Sequence, residues 1–435
     1  MNIAFAKHTL ANGLDVLLHE DHRCPIVAVN LWYHVGSKNE QPGRTGFAHL
    51  FEHLMFEGSE HYDSGYFEPL QRAGAAFNGS TSADRTNYWE VVPANALELA
   101  LWMESDRMGF LLPALTEAKF SNQRDVVLNE RRQNYENRPY GLAPMVMLAA
   151  LFPETHGYHW ATIGEIADLH AARLEEVREF FRTYYHPANA SLAIAGDVDP
   201  ANALALARAY FDDLREGPRL GPMSLPAPAL ARERRLVLQD RVELPRLLVA
   251  WLTPPMFAPD DGELDLAADI LANGKSSRLY KRLVYEERIA TDVSAAQNSR
   301  EAAGFFQVAV TAAPGHTIAR LQAEVAEEVR ALAEDGPTAD ELERGRIQAE
   351  SQFVYRLQTV GGFGGKSDQL NAYNTFVGDP GYFDRDLERY RQVTPRSLQE
   401  AVRRHLARDE RVTLSVVPTG RLDLALPDSM PAEVS

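Results

Sequence analysis

Apolar positions recur along this chain in two rhythms, and their spacing lays out its elements. Residues 14–18, 27–32, 87–92 and 191–195 alternate or run apolar as strands do, whereas 46–56, 96–108, 117–135 and 174–184 carry apolar residues three and four apart, which predicts helices. Strands and helices mingle without the regular strand-helix-strand beat of a doubly wound fold. That favours an α+β class in which an antiparallel sheet has helices packed on one face.

The pattern then repeats. Asp21 to Pro25 followed by IVAVNLWY resembles Asp240 to Pro245 followed by RLLVAWL, and each half closes on a helix leading into a β-rich run, LEEVREFFRTYYHPANASLAIAGDV and SLQEAVRRHLARDERVTLSVVPTG. Between the halves, residues 217–231 (GPRLGPMSLPAPALA) are rich in proline and break both patterns. The expected organisation is two homologous domains, 1–216 and 232–435, joined by a linker at 217–231.

Composition narrows the function. The 435 residues carry a formal net charge of −17; this acidity speaks against a nucleic-acid partner, which needs clustered Lys and Arg facing the phosphates. Cys24 is the single cysteine, which excludes an internal disulfide and a thiolate-rich metal site; it is expected to be a small buried residue. The longest uncharged apolar stretch, 139–153, has 15 residues, fewer than the roughly 20 a membrane helix needs, so no membrane span is expected. The opening MNIAFAKHTLANGL has neither the basic nor the apolar region of a leader, so the expected location is cytoplasmic, or periplasmic if a leader has been removed.

With cysteine ruled out, any metal must be held by histidine and carboxylate. Residues 44–58, RTGFAHLFEHLMFEG, contain His49-Leu-Phe-Glu52-His53. On a helix these spacings set His49, Glu52 and His53 on one face within a turn. Two imidazoles so placed can converge on one divalent ion, leaving Glu52 beside its open position, able to take a proton from a bound water. Such a site wants one more protein ligand. The predicted helix 117–135 offers Glu130 in VVLNERRQNYENRP, with Asp125 and Glu136 as alternatives.

Taken together, these features resemble the M16 metallopeptidases, the inverzincins that include pitrilysin and mitochondrial processing peptidase. The resemblance rests on H-x-x-E-H within GSKNEQPGRTGFAHLFEHLMFEGS, a later glutamate in VVLNERRQ, the YYHPANASLAIAGDV run and the tandem halves, and it covers essentially the whole chain. It implies that His49, His53 and Glu130 bind one Zn2+ per chain and that Glu52 is the general base of a zinc endopeptidase acting on peptides or unfolded protein segments. It also implies that Ala76, Phe77 and Asn78, in the expected hairpin 73–90, belong to an edge strand that pairs with the substrate backbone.

The sequence departs from the family in its second half. Single-chain members carry there an Arg and, seven positions on, a Tyr that support the tetrahedral intermediate; hand alignment puts Val284 and Thr291 in those places. Arg278, Tyr280, Arg282 and Tyr285 are the nearby substitutes if the alignment is shifted. The second half also lacks H-x-x-E-H. The resemblance therefore implies a heterodimer, this chain being the zinc-bearing subunit and a homologous M16 subunit without the zinc motif supplying the pair. The rival reading is a non-catalytic scaffold like the processing-peptidase-like subunits of respiratory complexes. Gln123 stands where many relatives have a second acid. The glycine-rich run 361–365, preceded by Val360 where a phosphate-binding loop needs glycine, reads as a cover or hinge.

Overall fold

The computed structural model describes residues 3–221 and 223–434. The first sheet is built from β1 (Ala6–Thr9), β2 (Asp15–Glu20), β3 (Ile26–Tyr33), β4 (Ala76–Thr81), β5 (Thr86–Pro93) and β6 (Ala190–Gly196), in the spatial order β1-β2-β6-β3-β5-β4. The second uses β7 (Arg234–Asp240), β8 (Arg246–Thr253), β9 (Ala290–Asn298), β10 (Gly304–Ala312), β11 (Val412–Pro418) and β12 (Met430–Pro431), in the order β12-β7-β11-β8-β10-β9. Position by position the orders match, β3 with β8, β6 with β11 and β4 with β9. Two sheet-plus-helix domains of one design are therefore present. Pairing is mostly antiparallel, but β2 runs parallel to β6 and β7 parallel to both β11 and β12. A parallel neighbour needs a crossover connection, and the long stretches from β2 to β6 and from β7 to β11 supply one.

The central strand β3 is buried at every residue but its first, and such a strand reads as an apolar run because both its faces are covered. On one face, Tyr33 packs against Tyr88 and Tyr185, and Phe51 of the helix Phe47–Leu54 packs against Phe181 and Tyr185. The other face carries Asn30 and Trp32, which meet a helix from the far half of the sequence, Lys366–Val377. The Asp368 carboxylate accepts from Trp32 Nε1 at 2.9 Å and from Asn30 Nδ2 and Asn87 Nδ2 at 3.3 Å, and Asn371 donates to the Asn30 carbonyl at 2.8 Å. So many donors around one carboxylate make burial of its charge tolerable.

The second sheet is completed in the same way, by the helix Ala143–Leu151 packed on β8 and β11, with Arg234 donating to the Ala150 carbonyl at 2.7 Å. The compact units are accordingly not contiguous in sequence. One comprises the described residues up to 130 with 161–224 and 352–385; the other comprises 131–160, 225–351 and 386 onward. The sequence reading placed a single division at 217–231. Cys24, expected to be buried, is exposed in the turn between β2 and β3. Among the described residues no helix is long and apolar enough to cross a membrane.

Candidate metal centre

The helix Phe47–Leu54 forms because its apolar residues 47, 50, 51 and 54 line one stripe, and all four are buried. Its start is fixed by Gly46, whose φ is +85°, a region that favours glycine; a Cβ there would lie 2.9 Å from the Ile163 carbonyl. Glu40 caps the first turn, accepting from Gly46 N at 2.9 Å and Ala48 N at 2.8 Å. A carboxylate at a helix N-terminus meets both the orphan amides and the positive end of the dipole. The helix therefore projects His49, Glu52 and His53 from a firmly held support.

Glu130 arrives from the last turn of the helix Glu117–Arg131. Its Oε2 lies 3.7 Å from His49 Nε2 and 3.3 Å from His53 Nε2, and one ligand atom from each of the three residues falls within 4.8 Å of the others. Two bonds of 2.0–2.1 Å at a tetrahedral angle hold their ligand atoms about 3.3 Å apart. The spacing and the two-nitrogen, one-oxygen donor set thus fit a zinc ion with one position left open. Of the alternative acids, Asp125 is exposed and Glu136 lies 3.4 Å from Arg131. No other trio of this kind occurs among the described residues.

Burial, reinforced by the charge of His53, pushes the His49 imidazole down to about 4, so it is neutral and able to ligate at neutral pH. Burial also acts to lower His53, but its bond to Glu130 and the charges of Glu52 and Glu130 outweigh that and raise it. Burial raises the Glu52 carboxyl, against the pull of a 2.6 Å hydrogen bond donated by Thr81 Oγ1. Thr81, on β4, escapes sequence inspection because its link to Glu52 exists only once strand and helix pack. Gln123 bonds to His53 and donates to Glu57 Oε1 at 2.5 Å.

Ala76, Phe77 and Asn78 lie on β4, at the edge of the first sheet; among the described residues no strand pairs with its other side. Ala76 and Asn78 are exposed, and Phe77 stacks on Phe67 with ring centroids 5.0 Å apart.

The profile described as Insulinase (Peptidase family M16) matches residues 15–159, and that described as Peptidase M16 inactive domain matches 171–349. The chain belongs to the M16 peptidase family. Over 359 residues it is 28% identical to the zinc protease PqqE of Helicobacter pylori, covering 81% of this chain and 80% of that one. A crystal structure of a protease from Helicobacter pylori superposes with a TM-score of 0.85 at 25% identity, over 95% of this chain and all of that one. The periplasmic protease PqqL of Escherichia coli shares the fold at a TM-score of 0.79 and 18% identity; this M16 chain, matched over 98% of its length, spans 49% of that protein.

In the second M16 unit the helix Asp261–Ala272 packs against β9 as Phe47–Leu54 packs against β4. It carries aspartates and no histidine. Of the four nearby substitutes, Arg278 is held by Glu341 at 2.8 Å and Arg282 by Glu328 at 2.8 Å; Tyr280 packs on the apolar core and Tyr285 is exposed. Thr291 donates to the Thr311 carbonyl at 3.4 Å.

Proposed function

We propose that this protein is a zinc-dependent endopeptidase of peptides or unfolded protein segments. His49, His53 and Glu130 hold the single ion of each chain, and Glu52 is the general base. The observation that carries this reading is the convergence of two imidazoles and a carboxylate at ligand spacing, with a second carboxylate on the same helical face. When bound, zinc would supply Lewis acidity there, able to polarise a scissile carbonyl and to lower the pKa of water to about 7. Glu52 accepts the proton of the attacking water and returns it to the leaving amine; its raised pKa brings it nearer to both tasks. Thr81 orients the Glu52 carboxylate. β4, through Ala76, Phe77 and Asn78, holds the peptide by strand addition, which reads main chain before side chains.

Val284 has no side-chain donor and the Thr291 hydroxyl is turned to the Thr311 carbonyl, so neither replaces an Arg or Tyr at a developing oxyanion, and the loss of one such donor costs about 10²–10³ in turnover. Arg278 and Arg282, tied to glutamates, are poor replacements. The missing donors therefore come from a homologous M16 partner that lacks the zinc motif. The test is metal analysis with a peptidase assay: one zinc per chain, cleavage with the partner present, and retention of zinc without cleavage in Glu52→Gln. A wild-type chain that binds zinc yet cleaves nothing with any homologous partner would mark a scaffold.

A further inference from the structure

We propose that a groove beside β4 and β5 is a subsite for one large apolar side chain of the bound peptide, about five residues from the scissile bond. This rests on the peptidase reading above and adds a specificity to it. The groove has a volume of about 490 Å3, and its walls include Ile26, Ala76, Trp89, Val91, Val360 and Gly361. It is of the size that accepts small ligands. Asp21 and Arg23 also line it but are bonded to each other at 2.6 Å, and Asp21 to Lys366 as well, so a charged side chain would lose its hydration there in exchange for partners already taken.

The wall is built before any ligand arrives. Lys366 N donates to the Thr359 carbonyl and Ser367 N to that of Val360, both at 3.0 Å, and Gly364 N donates to Asp368 Oδ2 at 2.8 Å. The same Asp368 is anchored to the sheet through Trp32, Asn30 and Asn87. At Gly361 a Cβ would come within 2.5 Å of Val91 Cγ2 and 2.6 Å of Ala28 Cβ, so only glycine lets the segment press on the sheet here. The run 361–365 is thus an anchored wall.

Register supplies the position of the occupant. In the β4–β5 pair, Ala76 faces Val91, Asn78 faces Trp89 and Thr81 faces Thr86. A peptide added to the open edge of β4 pairs with it residue for residue at about 3.3 Å per step. Thr81 marks the catalytic end, because its hydroxyl holds Glu52. Ala76 is five residues away, an odd number, and so lies on the opposite face, the one with Trp89 and Val91. A peptide residue opposite Ala76 therefore points into the groove, whereas the residue opposite Thr81 points to the side of Glu52.

The experiment is a positional scan on the zinc-loaded protein with its partner. Peptides vary each position from the scissile bond through Phe, Leu, Ala, Lys and Asp; kcat/KM is read for cleavage, and fluorescence anisotropy for binding to Glu52→Gln. One position about five residues from the cut should favour Phe or Leu over Ala, Lys and Asp by about tenfold or more. Trp89→Ala should flatten that preference. Ala76→Lys, at an exposed edge position, should turn it towards Asp, a gain that structural damage does not produce. A flat scan there, or a preference that both variants leave intact, overturns the subsite while cleavage still upholds the peptidase. Neither cleavage nor binding by the wild type, with or without partner, sinks the peptidase reading and the subsite with it.

Discussion

Thr81 Oγ1 donates a 2.6 Å hydrogen bond to Glu52 Oε2, tying the edge strand that would hold the substrate to the carboxylate that would act on it. Hydrogen bonding to an ionised carboxylate favours its charged form. Thr81→Val should therefore leave zinc content unchanged and reduce kcat more than it raises KM. Steady-state kinetics beside metal analysis check this.

The same bond sets a pH dependence. Burial holds the Glu52 carboxyl above its ordinary value, and a base works only when ionised. Activity should thus fall as pH drops through that raised value, on an acid limb lying above the usual glutamate range. In Thr81→Val, which loses a contact favouring the carboxylate, the limb should move to still higher pH. A pH profile of kcat/KM for both proteins decides the point.

Metal content separates the two roles on the helix Phe47–Leu54. His49→Ala and Glu130→Gln each remove a ligand and should drop zinc below one per chain after dialysis, with activity lost. Glu52→Gln should keep its zinc and lose cleavage. Elemental analysis of the three variants beside a peptidase assay checks this, and a zinc-free Glu52→Gln would place Glu52 among the ligands.

How much of this was legible in the chain follows from where each contact originates. The His49, Glu52, His53 face is local, set by spacing within one turn, and the helix appears where that spacing put it. Glu130 is distant, and composition alone did not separate it from Asp125 and Glu136; resemblance singled it out, and it is Glu130 that lies beside the histidines. Thr81 and Glu40 have no sequence signature, because each acts through a backbone or helix brought near only by packing. Asp368 was hidden further still, 281 positions beyond Asn87, to which it bonds. Cys24 was misread for a different reason: cysteine is usually buried, but here it sits in a turn at the rim of a groove.

A buried ion cluster behind the aromatic core gives a stability prediction. Arg107 and Glu104 are 0% exposed and Glu90 1%. Arg107 Nε donates to Glu104 Oε2 at 2.8 Å, and its guanidinium lies 4.1 Å from the Tyr88 ring. Burial and the neighbouring Glu104 hold the Glu90 carboxyl well above its ordinary value; Arg107→Met removes the cation from this buried pair of acids and should destabilise the protein by about 3–5 kcal/mol. Denaturant unfolding measures this, and a loss under 1 kcal/mol would show that the carboxylates take up protons instead.

The helices Lys366–Val377 and Ala143–Leu151 carry one last consequence. Each repeat lends the other a covering layer, so the duplication visible in the strand orders has not left two modules that can be parted. Fragments made separately on either side of 217–231 would each bare a sheet surface, in the first case one lined with Asn30, Trp32 and Asn87. A nick there after folding would instead leave the pieces interlocked, and any later shuffling of domains must move both repeats together.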